Sequence, residues 1–354
     1  MNLKSLKIGE LIADIPVIQG GMGVGVSLSG LAGAAAAAGG VGVISTAQIG
    51  FRNPSFHTDP IGTNLKAIAC EISEARNLAK GGIIGVNIMV ATRKYEEYVK
   101  AAVAAGVDLI ISGAGLPMIL PELIKGSKTM IAPIVSSLKS ASLILKYWLK
   151  KYDRVPDLVV IEGPEAGGHL GFTYEQLECI DSLHYEDEIT AIIRHVKKCA
   201  DEKGVPIPVV TAGGIYTRED ARQAFSLGAD GVQMATRFVT TYECDASDQY
   251  KEAYIQAKKE DITLVKSPVG MPGRAIKNAF LERTAEGPVP HGPCHLCVST
   301  CKPAETPYCI TEALVNAAEG RVEDGLLFCG TNAYRADRLE HAKDIMEEFR
   351  PYAV

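Results

Sequence analysis

Two stretches of this chain carry residue types that can do chemistry. In the first, residues 162–169, the acids Glu162 and Glu165, the adjacent glycines Gly167 and Gly168, and His169 follow a short apolar run. Paired glycines let the backbone pass close to something flat or bulky because no Cβ is in the way. An imidazole titrates near neutral pH and can serve as an acid or a base. We therefore expect His169 at the edge of an active site, at the end of a buried strand.

The second stretch is a cysteine cluster in a proline-rich segment. It holds four of the nine cysteines with spacings x2, x3 and x7, namely Cys294, Cys297, Cys301 and Cys309. In a reducing compartment such a cluster indicates metal or redox chemistry more often than disulfides. Four thiolates suit a structural zinc or a [4Fe–4S] cluster. The spacing leaves both open, as well as cysteines without a metal, and His291 and His295 are less favoured ligands.

Composition narrows the class of protein. The chain has 354 residues, of which 47% are apolar and 22% charged, which is typical of a globular protein with a sizeable core. The net charge of −6 comes without a basic stripe, which argues against nucleic acid as a partner. The N-terminus lacks the apolar core of a signal peptide, and the alanine-rich run 31–38 is too short to span a bilayer. We expect a cytoplasmic protein without a membrane partner.

Eight short apolar runs alternate with segments of helical periodicity, which predicts a parallel α/β fold. The runs are residues 15–18, 41–45, 83–88, 108–112, 130–135, 158–161, 208–211 and 231–234. Eight such units favour a (β/α)₈ TIM barrel, with an open doubly wound sheet as the alternative. We place the barrel at residues 1–265. Residues 266–354 then form a smaller substrate-side region that contains the cysteines.

The pattern after the eighth run predicts mostly helices. Helices are expected over residues 250–259, 275–283 and 311–318, with a loop at 267–274. Residues 335–349 read as a charged terminal helix with a solvated face.

Sites in such barrels form at the carboxyl ends of the strands. Glycine pairs or small polar residues stand at several of these ends, and loops after the last two strands commonly bind phosphate through backbone N–H groups. A single glycine pair is ordinary turn chemistry. Several of them on one face predict a phosphorylated cofactor and a small-molecule substrate.

The motifs at these strand ends resemble the nitronate monooxygenase family and its relatives, the FMN-dependent enoyl-ACP reductases. The matching segments, in order, are residues 16–22, 85–87, 165–169, 212–215, 233–238 and 274–278. The resemblance implies a TIM barrel that holds FMN non-covalently. It places Gly20, Gly21 and Met22 against the isoalloxazine ring and Asn87 and Ser136 at its polar edge.

The resemblance also implies where the phosphate lies. Gly213, Gly214, Ala235 and Thr236 would hold it, although the family usually has glycine at position 235, which leaves that loop's geometry open. The wider set of implied cofactor-binding residues comprises Gln19, Glu162, Gly167, Gly168, Ala212, Gln233 and Met234.

By the same resemblance, His169 is the catalytic residue, and it removes the acidic α-proton of a nitroalkane. The implied activity is oxidation of alkyl nitronates. One alternative is an FMN-dependent enoyl-thioester or ene reductase that uses NAD(P)H or an iron–sulfur relay. Another is a non-catalytic electron carrier. A flavin partner favours an iron–sulfur centre over zinc at the four cysteines, and a homodimer is expected because dimers are the commonest assembly.

Overall fold

The computed structural model describes residues 3–351, which form a barrel of parallel strands with helices around it. The strands are β1 (Leu6–Ile8), β2 (Leu11–Ala13), β3 (Val17–Gln19), β4 (Val41–Ser45), β5 (Ile83–Met89), β6 (Leu109–Gly113), β7 (Met130–Val135), β8 (Val159–Glu162), β9 (Gly168–His169), β10 (Val209–Ala212), β11 (Gly231–Met234), β12 (Ile262–Lys266) and β13 (Pro272–Ile276). The helices are α1 (Ser29–Ala37), α2 (Pro60–Ala79), α3 (Tyr95–Ala104), α4 (Leu120–Leu123), α5 (Leu138–Tyr152), α6 (Tyr174–Glu178), α7 (Tyr185–Lys203), α8 (Arg218–Ser226), α9 (Thr236–Val239), α10 (Asp248–Gln256), α11 (Ala279–Glu286), α12 (Ile310–Ala318) and α13 (Ala342–Glu347).

Eight parallel strands close the barrel in the order β3-β4-β5-β6-β7-β8-β10-β11, and β11 pairs with β3. The predicted TIM barrel is therefore confirmed, and the open-sheet alternative is wrong. The apolar runs predict the barrel strands correctly because a parallel strand is covered on both faces, so its sequence is continuously apolar. Val41, Val43 and Ile44 of β4, for example, have no exposed surface.

The small residues of α1 let it lie unusually close to the sheet. A Cβ built on Gly42 of β4 would lie 1.8 Å from the carbonyl oxygen of Ala32 in α1, so only glycine fits there. None of the helices within residues 3–351 combines the length and apolarity needed to cross a membrane.

A short hairpin, β1–β2, closes the amino end of the barrel, and the sequence analysis missed it. Leu6 and Ile8 have almost no exposed surface and pack in one cluster with Ile18 and Val41 at the starts of barrel strands. Three-residue strands are too short to show a period-2 pattern. Gly9, with φ of +56°, makes the turn.

A second hairpin, β12–β13, corrects two predictions. Residues 272–276 form a strand, where a loop ending at 274 and a helix starting at 275 were expected, and α11 begins only at Ala279. Prolines and glycines make this segment read as a loop. Its strand exists because it pairs with β12 on one side and β9 on the other. The domain boundary at 266 falls at the end of β12 and stays a prediction.

The terminal segment is not a solvated helix, so that prediction is wrong. Only Ala342–Glu347 is helical, and Ile345 and Phe349 are fully buried. Its acids are used in ion pairs, because the buried Arg237 binds Glu340 at 2.8 Å and Glu348 at 2.6 Å. A charge pattern cannot tell solvated carboxylates from paired ones.

Candidate active site

A cavity opens at the carboxyl ends of the barrel strands, where the sequence predicts the site. All but two of the predicted catalytic and cofactor-binding residues line it, namely Gly20, Gly21, Met22, Asn87, Glu162, Gly167, Gly168, His169, Ala212, Gly213, Gly214, Gln233, Met234, Ala235 and Thr236. The barrel geometry brings most of these residues together from the ends of five barrel strands, β3, β5, β8, β10 and β11.

Gln19 and Ser136 do not line the cavity. Gln19 is fully buried, and its side chain accepts a hydrogen bond from the amide of Val43 at 3.1 Å and donates one to the carbonyl of Gly20 at 2.6 Å. The hydroxyl of Ser136 donates to the carbonyl of Gly171 at 3.3 Å. Both side chains bond to neighbouring backbone, so here they shape the site without facing it.

The two glycines before His169 have different reasons to be glycine. A Cβ on Gly167 would lie 2.5 Å from the carbonyl carbon of Cys329, because the chain at 329–330 crosses directly over it. Gly168 has φ of +72°, and a Cβ there would meet nothing within 4 Å. The close approach predicted for this pair is therefore partly to the protein's own backbone. Gly168 alone leaves open space beside the histidine.

His169 is held in place by the C-terminal region. It lies on β9, opposite Gly273 of β13, and its Nε2 lies 2.7 Å from the hydroxyl of Ser267. The ring of Phe328 packs edge-on against the imidazole, with 4.9 Å between centroids. Burial lowers the pKa of His169 to about 4, so the imidazole is neutral at pH 7. A neutral, oriented imidazole can accept a proton.

Ser267 and Phe328 are site residues that sequence reasoning missed, as are the stacked rings of Tyr250 and Tyr254, 5.5 Å apart in the cavity wall. The tyrosines carry a usable signal, since their i, i+4 spacing on a predicted helix puts them on one face. Ser267 and Phe328 lie in irregular segments, and no local pattern marks them.

Glu162 places a carboxyl group in the same cavity. Burial raises its pKa to about 7, so at and below neutral pH a large share of the group is protonated and can donate a hydrogen bond. Its backbone carbonyl accepts a hydrogen bond from the hydroxyl of Tyr185 at 3.1 Å, which holds the end of β8.

The residues at the far end of the cavity fit a bulky cofactor with a phosphate. Gly213 and Gly214 have φ of +97° and +74°, left-handed values that favour glycine, and backbone amides in such a loop can approach a phosphate closely. Ala235 has φ of −127°, outside the left-handed region that favours glycine, so the backbone conformation there does not require glycine. The side-chain oxygen of Gln233, in the cavity wall, is buried without a hydrogen-bond partner among residues 3–351. A bound ring with a donor group would satisfy it.

The cysteine segment lies against the loops that follow β4 and β5. The backbone amide of Arg93 donates to the carbonyl of Cys297 at 3.0 Å. The side chain of Gln48 donates to the backbone carbonyl of His295 at 3.2 Å. A tetrahedral zinc with four thiolates needs sulfurs about 3.8 Å apart, as bond lengths of about 2.3 Å require. Over residues 3–351, the donors gathered within 4.8 Å of one another are those of His295, Cys309 and Glu312, not of three cysteines.

The positions of the cysteine sulfurs have different consequences for the predicted zinc and for the predicted iron–sulfur cluster. It does not present a preformed four-cysteine zinc site. An iron–sulfur cube binds each thiolate to a different iron and holds them farther apart, so these distances leave that prediction untested.

Comparison with solved structures agrees with the barrel and its C-terminal region. FabK from Thermotoga maritima matches with a TM-score of 0.71 and 26% identity, over 95% of this chain and 92% of that one. A nitroalkane oxidase from Streptomyces ansochromogenes matches with a TM-score of 0.70 and 20% identity, over 95% and 94%. The second likeness concerns the fold alone.

Sequence comparison points to one family. Proteins described as probable nitronate monooxygenases are 36% identical over 130 residues (Staphylococcus saprophyticus) and 31% identical over 172 residues (Staphylococcus aureus strain Newman). These alignments cover 37% and 45% of this chain, and 34% and 45% of the relatives. The family model for nitronate monooxygenase matches residues 4–351. The chain belongs to the nitronate monooxygenase family.

Proposed function

We propose that this protein is an FMN-dependent oxidoreductase of the nitronate monooxygenase type, which oxidises alkyl nitronates and nitroalkanes. The observation that carries the proposal is a neutral, oriented His169 beside the open space at Gly168, in a cavity at the carboxyl ends of a TIM barrel. The family match over residues 4–351 supports the same assignment.

The cavity residues would hold FMN by its two ends. Gly213, Gly214 and Thr236 would meet the phosphate, and Gln233 and Asn87 would face the ring. When bound, FMN would supply the redox chemistry, taking electrons from the nitronate and passing them to dioxygen. The protein's part is to bind, orient and move protons.

His169 would remove the α-proton of a neutral nitroalkane, and the serine beside it would fix its tautomer. If the hydroxyl of Ser267 accepts the proton of Nε2, the lone pair of the neutral ring stays on Nδ1, which can then act as the base. A pre-formed nitronate has already lost that proton and does not need the step. Ser267 is thus a positioning residue, and His169 is the catalytic one.

Replacing Ser267 by alanine tests that role. One hydrogen bond is worth about 1 kcal/mol, so we expect kcat/KM for neutral nitroethane to fall about fivefold. Turnover of ethyl nitronate should not change, and Ser267→Thr should restore the nitroethane rate. Steady-state assays with both substrates check this. An equal loss with both substrates would show that Ser267 only supports the fold.

The second candidate is an enoyl-thioester or ene reductase. The resemblance of residues 16–278 to FMN-dependent enoyl-ACP reductases favours it, and the same cavity could hold a thioester with His169 near its carbonyl. NAD(P)H or an iron–sulfur centre would be the electron donor. A non-catalytic electron carrier fits less well, since Gly168 leaves the space beside His169 open.

Anaerobic flavin reduction separates these candidates. For the monooxygenase, we expect propyl-1-nitronate to bleach the flavin of the purified holoprotein and NAD(P)H to leave it oxidised. Bleaching by NAD(P)H, followed by reoxidation with crotonyl thioester, would establish the reductase instead. If neither propyl-1-nitronate nor NAD(P)H bleaches the bound flavin, the result would favour the carrier.

Three further predictions about this protein remain predictions. They are an iron–sulfur centre on Cys294, Cys297, Cys301 and Cys309, a homodimeric assembly, and a cytoplasmic location. Metal analysis of protein purified without oxygen, light scattering in solution and cell fractionation would test them in turn.

A further inference from the structure

We propose that His295, Cys309 and Glu312 bind one Zn²⁺ in a structural site outside the flavin cavity. Each residue offers one ligand atom, and these three atoms lie within 4.8 Å of one another. Imidazole nitrogen, thiolate sulfur and carboxylate oxygen are the three ligand types that zinc takes in proteins. The set shares Cys309 with the four cysteines that the spacing predicts, so the zinc site and the predicted iron–sulfur centre exclude each other.

The imidazole of His295 supplies the strongest evidence. The residue is only 8% exposed, and its Nδ1 is buried with no hydrogen-bond partner in the described part of the chain. Leaving a buried polar atom unpaired is unfavourable, because it has lost its hydrogen bonds to water. A metal bound at Nδ1 would give this atom the partner it lacks. The ring is fixed by stacking on Phe56, with 5.1 Å between centroids and 18° between planes.

Cys309 and Glu312 are placed together by a helix start. Cys309 immediately precedes α12, and Glu312 is in its first turn, so the two side chains lie on the same face. The amide of Gly292 donates to Oε1 of Glu312 at 2.8 Å and so orients the carboxylate. Zinc binds a cysteine as its thiolate and releases the thiol proton, and the carboxylate of Glu312 offers the cation a second anionic ligand.

The backbone around these donors is held by buried hydrogen bonds. The side chain of Gln48 donates to the carbonyl of His295 at 3.2 Å and to the hydroxyl of Thr311 at 3.1 Å. Asn64 in turn donates to Gln48 at 2.6 Å and to Tyr98 at 2.8 Å. This network fixes the histidine segment relative to the start of α12. Such support around the ligands is what sets the geometry of protein metal sites.

Three ligands leave one tetrahedral position, which a water molecule can fill, because the thiol of Cys297 lies outside the group of donors within 4.8 Å of one another. Cys297 is half-buried and packs against the cluster that contains Tyr308 and Ile310. Cys294 is exposed, and its sulfur accepts a hydrogen bond from the amide of Leu296 at 3.4 Å. The site would clamp the proline-rich segment to α12, whose Leu314 lines the flavin cavity. Its role is therefore structural, apart from the redox chemistry.

X-ray absorption on the purified holoprotein tests the ligand set without any variant. We expect about one zinc per chain, with one sulfur at about 2.3 Å and the remaining ligands nitrogen or oxygen at about 2.0–2.2 Å. Zinc with two or more sulfurs, iron with sulfide, or the absence of bound metal after growth with added zinc would overturn the proposal.

Variants identify the residues. We expect His295→Ala and Glu312→Gln to lower the zinc content several-fold, and Cys309→Ser to remove the sulfur-to-metal charge-transfer band of cobalt-exchanged protein. Cys294→Ser should keep the metal, as should Cys179→Ser, which changes an exposed cysteine elsewhere in the chain. Loss of metal in Cys294→Ser would favour the four-cysteine centre. Bound-flavin content and circular dichroism show whether each variant is folded.

Discussion

Replacing His169 by glutamine is expected to lower kcat/KM for neutral nitroethane by about 10²–10⁴-fold, the usual contribution of a general base. Turnover of ethyl nitronate should change only slightly, because that substrate arrives without the proton. Stopped-flow flavin reduction with each substrate measures the two rates separately. Flavin content should stay the same, since the imidazole is held by Ser267 and Phe328, away from the phosphate end of the cavity.

Two outcomes would contradict that role for His169. One is an equal loss with nitroethane and ethyl nitronate, which would make the histidine a general binding residue. The other is loss of bound flavin, which would make it part of the cofactor site. Ser267→Ala is the matched comparison, because it disturbs the same ring without removing the base.

The pH dependence follows from the same residue. Because burial lowers the pKa of His169 to about 4, the base should stay unprotonated, and active on nitroethane, well below the ordinary imidazole value of about 6.5. The unfolded chain takes up this proton at a higher pH than the folded one. The contribution of His169 to the free energy of unfolding should therefore be lost as the pH drops from about 6.5 towards 4, and the difference between the unmodified protein and His169→Gln separates it from the opposite contribution of Glu162. If the rate with nitroethane instead changes near pH 7, the titrating group is Glu162, whose pKa is raised to about 7. That change in rate should be absent in Glu162→Gln.

Replacing Gly213 by alanine is expected to weaken FMN binding by about 10–100-fold. Its φ of +97° is strained for any residue with a Cβ, and the added carbon would lie 3.0 Å from the amide nitrogen of Ala166. Left-handed backbone costs an L-residue about 1–2 kcal/mol, and the contact adds to it. In the apoprotein of this variant the loop after β10 can relax to another conformation. FMN binding then has to restore the left-handed conformation at position 213, which weakens binding. Titration of the apoprotein with FMN measures the change.

Ala235→Gly is the matched control at the neighbouring strand end. Its φ of −127° is open to every residue, so adding glycine there should leave the FMN affinity within about threefold. If Gly213→Ala binds FMN as tightly as the unmodified protein, the loop after β10 does not hold the phosphate. Thermal unfolding of both apoproteins distinguishes weaker binding from general loss of structure.

Several features could be derived from the sequence because their signals are local. The eight barrel strands are short apolar runs, since parallel strands are covered on both faces. The glycine-rich strand ends and His169 follow those runs directly, and a closed parallel barrel gathers all such ends on one side. The fold and the part of the cavity lining that lies at the strand ends are therefore determined by neighbouring residues in the chain.

Other features depend on contacts between distant segments, which no local pattern encodes. Ser267 meets His169 from 98 positions away, through a hairpin whose second strand reads as a loop because its pairing partners lie elsewhere. Charged residues near the end of the chain became ion-pair partners of Arg237 and not a solvated face. At the cysteines, spacing suggested four sulfur ligands. Only the tertiary structure placed His295, Cys309 and Glu312 together, because packing decides which donors share a centre.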